Sequence, residues 1–366
     1  MRDDQIDLFS PLFPRLSVFT LHLCVNFIPM KRQEFLSLVP GIPGLWIAAK
    51  QNEDLSGTMV VPPYLKAGDK IAITCPAGWI SLEEIQPAIS QIESWGLVVR
   101  VGMTVGKRDF SFGGTDEERA MDMQILLDDH SVKAIMCARG GYGVNRILDR
   151  LNFTRFKEKP KWIIGFSDIT ALHLHLEKNL KVASVHSKMC NSFPDIWATA
   201  EPIVQETILS IQKVLTGTSM KYAAVPQEQN RTGIGSGLLV GGNLSIIISM
   251  MGTKTEINTD GKILFLEEVG EYMYSLDRML MNLKRSGKLD KLKGLIIGGF
   301  KVKPDDPGEE FGRTLYDIVF EKVSGYTYPV CFGFPVGHQK DNFALKYGMP
   351  HMLTVRKDVV ELVELK

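Results

Sequence analysis

The stretch KWIIGFSDITALHLHLEKN, residues 161–179, runs four apolar-leaning residues into Gly165, Phe166 and a lone Ser167, then changes to the spacing of a helix. A buried strand that turns into a helix at a glycine is the unit of a doubly wound α/β sheet, whose functional residues gather beyond the C-terminal strand ends. The same rhythm repeats upstream. DKIAITCPAG is a short β-rich run, and SLEEIQPAISQIESWG has helical spacing with Ser81 as a cap, Glu84 three later and Gly96 as a stop. LVVRVG follows as a strand; TDEERAMDMQILLDDHSV is a helix capped by Thr115, with acidic residues in its first turn. KAIMCARGGYG is a strand ending in a glycine loop, and VNRILDRLNF is a helix. Alternation of this kind predicts a mostly parallel, Rossmann- or flavodoxin-like sheet flanked by helices over residues 59–218.

Residues 219–235, including VPQEQNRTGIGSG, are poor in apolar side chains and read as a linker. Beyond them, residues 236–366 change character. GLLVGGNLSIIISMMG, KILFLEEVGE, TYPVCFGFPVGHQKDN and MLTVRKDVVELVELK read as a C-terminal, mostly β mixed domain closing on a hairpin-like run. Residues 1–58 form an extension whose apolar runs are interrupted by proline and glycine, short of the about 20 clean residues that a membrane span needs. Read from Met30, Lys31-Arg32 is a positive region, Phe35 to Ala49 an apolar one and Ala48-Ala49 a small-residue cleavage site. That is the pattern of an export signal, and a poorly ordered extension is the plain alternative.

Composition narrows the partners. Lys and Arg total 42 against 42 Asp and Glu, so no basic face is available for nucleic acid or anionic lipid, and a small molecule is the expected ligand. The five cysteines are scattered and never form C-x-x-C, which argues against a disulfide framework or a zinc site.

Ser167 is the first candidate for chemistry. At a sharp strand-to-helix bend its hydroxyl stands clear of the sheet, and the amide of Asp168 can face a developing oxyanion. Capping of the following helix by Ser167 or Asp168 is the bland reading, and the second glycine of G-x-S-x-G is missing. A serine nucleophile needs a base. Of seven histidines, His173 and His175 lie on the serine's own helix as packing or surface residues; His130 is at a helix end, His351 near a turn and His22 in the extension. His338, in a polar loop after an apolar strand, is the better placed, and His186 in VASVHSKM is the other possibility. For an orienting carboxylate, KILFLEEVGE reads as an apolar strand ending in Glu267-Glu268, of which alternation lets only one look inward, with Glu271 close behind. The glycines of CARGGYG allow close backbone approach to a phosphate or an oxyanion, without the Lys-Ser/Thr of a P-loop.

Seven blocks in order carry a resemblance over about 300 residues: PPYLKAGDKIAITCPAG, GGTDEERAMDMQILLDD, AIMCARGGYGVNRILDRLNF, PKWIIGFSDITALHLHL, GGNLSIIISMMGT, ILFLEEVGEYMYSLDRML and GFPVGHQKDNFALKYG. From about Pro62 the chain is similar to the serine-type LD-carboxypeptidases, the muramoyltetrapeptide carboxypeptidases. The resemblance implies a metal- and cofactor-independent peptidase that removes terminal D-alanine from peptidoglycan tetrapeptides. Ser167 would be the nucleophile, His338 the general base and Glu267 its orienting partner, with the amides of Gly141 and Asp168 as the oxyanion hole. It implies a homodimer and a cytoplasmic recycling role, or action outside the cytoplasm if the segment from Met30 is a signal. VHSKM stands where many members have His-Gly-Pro-Met, which alters a loop near the expected site. Two other readings share the scaffold: a microcin-C-type immunity peptidase cleaving an aminoacyl-nucleotide amide, with Trp197 to stack on a base, and a non-catalytic binder.

Overall fold

β-Branched and aliphatic residues dominate two sets of strands, and their burial explains the architecture of residues 59–365, which the structure, a computed structural model, describes. The expected export signal lies outside these residues. The first sheet is built from β1 (Lys70–Thr74), β2 (Val98–Val101), β3 (Val132–Cys137), β4 (Trp162–Gly165) and β5 (Ser184–His186). β4 is buried throughout and β1 and β3 nearly so, as expected of parallel strands covered on both faces. Between them run α1 (Gln86–Ser94), α2 (Asp116–Asp128), α3 (Val144–Ile147), α4 (Thr154–Glu158) and α5 (Thr170–His175), with α6 (Pro202–Leu215) after β5. The second sheet uses β6 (Lys221–Ala224), β7 (Gly233–Asn243), β8 (Ile263–Tyr272), β9 (Gly294–Lys303) and β10 (Val330–Gly337). β11 (Leu345–Tyr347) follows, then β12 (Pro350–Val355) and β13 (Val360–Glu364), while α7 (Leu244–Ser249), α8 (Met273–Arg285) and α9 (Leu315–Val323) link β7 to β10.

In the first sheet the order is β11-β5-β4-β3-β1-β2, parallel except for β11. The run 2-1-3-4-5 is the flavodoxin-like order, with its switch point between β1 and β3. The glycine loops after these two strands meet there, the Gly78 amide donating to the Gly140 carbonyl at 2.9 Å. The second sheet has the order β10-β9-β8-β7-β12-β13-β6. Its β7 to β10 are parallel and the rest antiparallel, and β12 with β13 forms the closing hairpin.

Local signals behave as their chemistry requires. Thr115 and Glu118 form a full capping box ahead of α2. Ser81 and Glu84 exchange the same pair of bonds, yet α1 starts only at Gln86, because Pro87 suits the first turn of a helix and not its interior. Residues 219–235, read as a linker, contain the edge strand β6 and the start of β7. The segment after β10 also returns to the first sheet as β11, pairing Leu345 with His186.

Candidate active site

β4 ends at Gly165, and Ser167 follows with φ +62°, the left-handed region that side chains with a Cβ avoid. A non-glycine residue held there stores about 1–3 kcal/mol and marks an imposed geometry. The RGGYG loop passes directly over it: a Cβ on Gly140 would lie 3.1 Å from Ser167 Oγ and 3.0 Å from its Cβ. Only glycine lets backbone come this close. Among the described residues, neither the Gly141 amide nor that of Asp168 is engaged by a protein acceptor outside its own helical turn. Both therefore keep a donor for a developing anion.

Asp168 also has a structural role through its side chain. Its side chain is buried and accepts from the Val144 N–H at 2.8 Å, tying the serine turn to the far end of the glycine loop. Burial lifts its carboxyl to about 6. Arg119, fully buried on α2, donates to the carbonyls of Pro76 (2.6 Å), Gly143 (2.9 Å) and Gly114 (3.2 Å), so three loops share one guanidinium. Neither role is visible in sequence, because both depend on loops distant along the chain.

Across the cleft, Glu267 Oε2 and His338 Nδ1 are 2.5 Å apart, with Glu267 fully buried and the His338 side chain 19% exposed. β8 does not stop at the two glutamates, as its sequence pattern had implied; it runs on to Tyr272, with a register shift against β9 between Leu266 and Glu268. Nor does only one glutamate look inward. Glu267 turns to His338, whereas Glu268 accepts from the Asn243 side chain (3.0 Å) and the Ser245 amide (2.6 Å), anchoring the start of α7. Both are buried because the second sheet is covered on each face. Gly337, just before His338, has φ +104°, and a Cβ there would fall 2.4 Å from Glu267 Cβ. The glycine is what admits the carboxylate to the imidazole.

The residue before Ser167 packs on His338: the Phe166 and His338 ring centroids are 4.8 Å apart. No Ser167–His338 hydrogen bond is formed among the described residues; such contacts are often long without substrate and tighten in the complex. His186 lies close by, edge-on to Phe166 and Phe265, but it is fully buried, and burial holds its imidazole well below the usual range. It is a neutral packing residue. His173, expected as packing or surface, is buried and bonds the Gly165 carbonyl (2.9 Å) and Ser184 Oγ (2.8 Å), fixing the end of β4. Trp197 lines a hollow with Pro87 and Ser90 of α1, which none of Ser167, Glu267 and His338 lines. Among the described residues no helix is long and apolar enough to cross a membrane.

Comparison with known proteins identifies the family. Residues 71–187 match the LD-carboxypeptidase N-terminal domain and residues 236–353 the LD-carboxypeptidase C-terminal domain. A probable murein peptide carboxypeptidase of Bacillus subtilis is 31% identical over 298 residues, covering 78% of this chain and 89% of the relative. The crystal structure of muramoyltetrapeptide carboxypeptidase from Oxalobacter formigenes superposes with a TM-score of 0.71 at 28% identity, covering 81% of this chain and 99% of that one. MccF in complex with glutamyl sulfamoyl guanosine shares the fold, with a TM-score of 0.73 at 23% identity over 83% and 98% of the two chains. The chain thus belongs to the LD-carboxypeptidase family of peptidases.

Proposed function

We propose that the protein is a serine-type LD-carboxypeptidase that removes the terminal D-alanine from muropeptide tetrapeptides. The observation that carries this reading is the buried Glu267–His338 hydrogen bond beside a serine held at positive φ. Glu267 accepts the Nδ1–H, which leaves Nε2 unprotonated and able to take a proton. Ser167 Oγ attacks the carbonyl that joins the L-centre of the diamino acid to D-alanine, and His338 Nε2 accepts the hydroxyl proton. The oxyanion draws on the Gly141 and Asp168 amides, donors fixed before the reaction begins. On collapse the C–N bond breaks, His338 returns the proton to the leaving amine, and D-alanine departs from an acyl-enzyme. Water, deprotonated by His338, then releases the tripeptide and restores Ser167.

Recycling of wall fragments would put the enzyme in the cytoplasm, working on free muropeptides, most naturally as a homodimer. Fractionation of cells carrying a tagged chain tests that against export from Met30. The activity itself is tested by mass spectrometry of a disaccharide-tetrapeptide incubated with the protein, alongside Ser167→Ala and His338→Ala. Loss of one alanine with the wild type alone is the expected result. An intact tetrapeptide with folded wild type would refute the assignment and favour an aminoacyl-nucleotide substrate of the kind MccF is solved with.

A further inference from the structure

A carboxypeptidase must recognise a free terminal carboxylate, which lies only about 4 Å beyond the scissile carbonyl carbon. The structure holds a cation against the backbone and the aromatic ring that adjoin the reacting groups in sequence. Lys188, two residues beyond β5 in the HSKM segment, is half-buried, and its Nζ donates to the Gln339 carbonyl at 2.5 Å, one residue past His338. The same Nζ is 5.7 Å from the centroid of the Phe166 ring, which adjoins Ser167 in sequence and packs on His338.

What distinguishes this lysine is its partners. The buried lysines Lys262, Lys322 and Lys346 each sit on a carboxylate, of Glu177, Asp277 and Glu364 respectively. Lys161 takes the Leu126 and Asp129 carbonyls at the C-terminal end of α2, where the helix dipole is negative. Lys188 has no carboxylate within 4.0 Å among the described residues, and one carbonyl occupies only one of its three donors. The nearest carboxylate charges are Asp341 and Glu267, and Glu267 is already committed to His338. Exposed Lys301 adds a second positive charge nearby. A partly desolvated ammonium with spare donors, near the ring of the residue before the candidate nucleophile, is suited to an anionic group of the substrate.

We propose that Lys188 is a specificity residue that anchors the C-terminal carboxylate of the scissile peptide and so restricts the site to exopeptidase cleavage. The inference rests on the carboxypeptidase reading above. Arg139, within the glycine loop, is exposed and directed to the Trp79 carbonyl at 3.4 Å, a poorer anchor, and Arg119 is committed to the Pro76, Gly143 and Gly114 carbonyls.

The test uses the full chain and two peptides, a disaccharide-tetrapeptide ending in D-alanine and the same peptide ending in D-alaninamide. Wild type should prefer the acid. In Lys188→Met, kcat/KM for the acid should fall about 10- to 100-fold, mainly through KM, while the amide changes little; Lys188→Arg should restore part of the preference. Calorimetric titration of Ser167→Ala with both peptides reads the same preference without turnover and without touching Lys188. An unchanged acid-to-amide ratio in folded Lys188→Met overturns the proposal, as does equal binding of the two peptides by Ser167→Ala. So does an Arg139→Met variant that loses the preference when Lys188→Met keeps it. Release of D-alanine or D-alaninamide from neither peptide by wild type refutes the carboxypeptidase reading itself, and is told apart by wild-type turnover alone.

Discussion

Replacing Glu267 by Gln isolates the carboxylate from every other part of the site. The carboxylate is fully buried, and Oε2 is spent on His338 Nδ1. In the proposed mechanism His338 takes the serine proton, and an imidazolium then forms against this anion. With charge centres about 4 Å apart at an effective dielectric near 20, the attraction is about 4 kcal/mol, or about 10³ in rate. The Gln amide can also donate to Nδ1, which would move the ring proton to Nε2 and remove the base that Ser167 needs. Together these predict a fall in kcat/KM of about 10³- to 10⁴-fold for D-alanine release, with KM changed little. Stability should hold, since the neutral amide fills the same space and no longer requires burial of a charge. Turnover by coupled D-alanine assay and melting by circular dichroism would be measured together. A folded Glu267→Gln protein that keeps kcat/KM within about tenfold of wild type would refute the orienting role.

Three further outcomes follow from the same structure. Ser167→Gly and Ser167→Ala should both abolish turnover, but the glycine variant should be about 1 kcal/mol the more stable in urea unfolding, because φ +62° costs it nothing; equal stabilities would deny the strain. Asp168, raised to about 6 from an ordinary 3.8, binds its proton more tightly folded than unfolded, so its contribution to stability declines as pH rises from about 4 through about 6 and is level above. Asp168→Asn keeps the acceptor for Val144 but cannot ionise, so its stability relative to wild type should increase between pH 4 and pH 7; a pH-independent difference would contradict the buried carboxyl. Cys75, Cys137, Cys190 and Cys331 are buried free thiols, with Cys75 and Cys331 pushed up to about 12 by burial. They should resist Ellman's reagent until the protein unfolds, and rapid labelling in the native state would count against that burial.

Much of this protein is legible along the chain because its signals are local. A continuous apolar run such as KWIIG closed by glycine reads as a covered strand, Thr115 with Glu118 reads as a helix start, and alternation of such units points to a doubly wound sheet. The ordered blocks singled out Ser167, Glu267 and His338 without any contact being known. Other features needed the third dimension. That Glu267 and Glu268 are both buried, and serve different partners, follows from sheet packing on two faces, which alternation along one strand does not report. That residues 221–224 form an edge strand, and that residues 345–347 complete the distant first sheet, are pairing choices made between segments far apart. Lys188 illustrates the limit most sharply. In sequence it is an odd residue in a loop, and only the fold sets its ammonium near Phe166 and on the Gln339 carbonyl without a carboxylate of its own. Local chemistry determines which elements form; which side chains share a low-dielectric cleft is decided by how those elements pack.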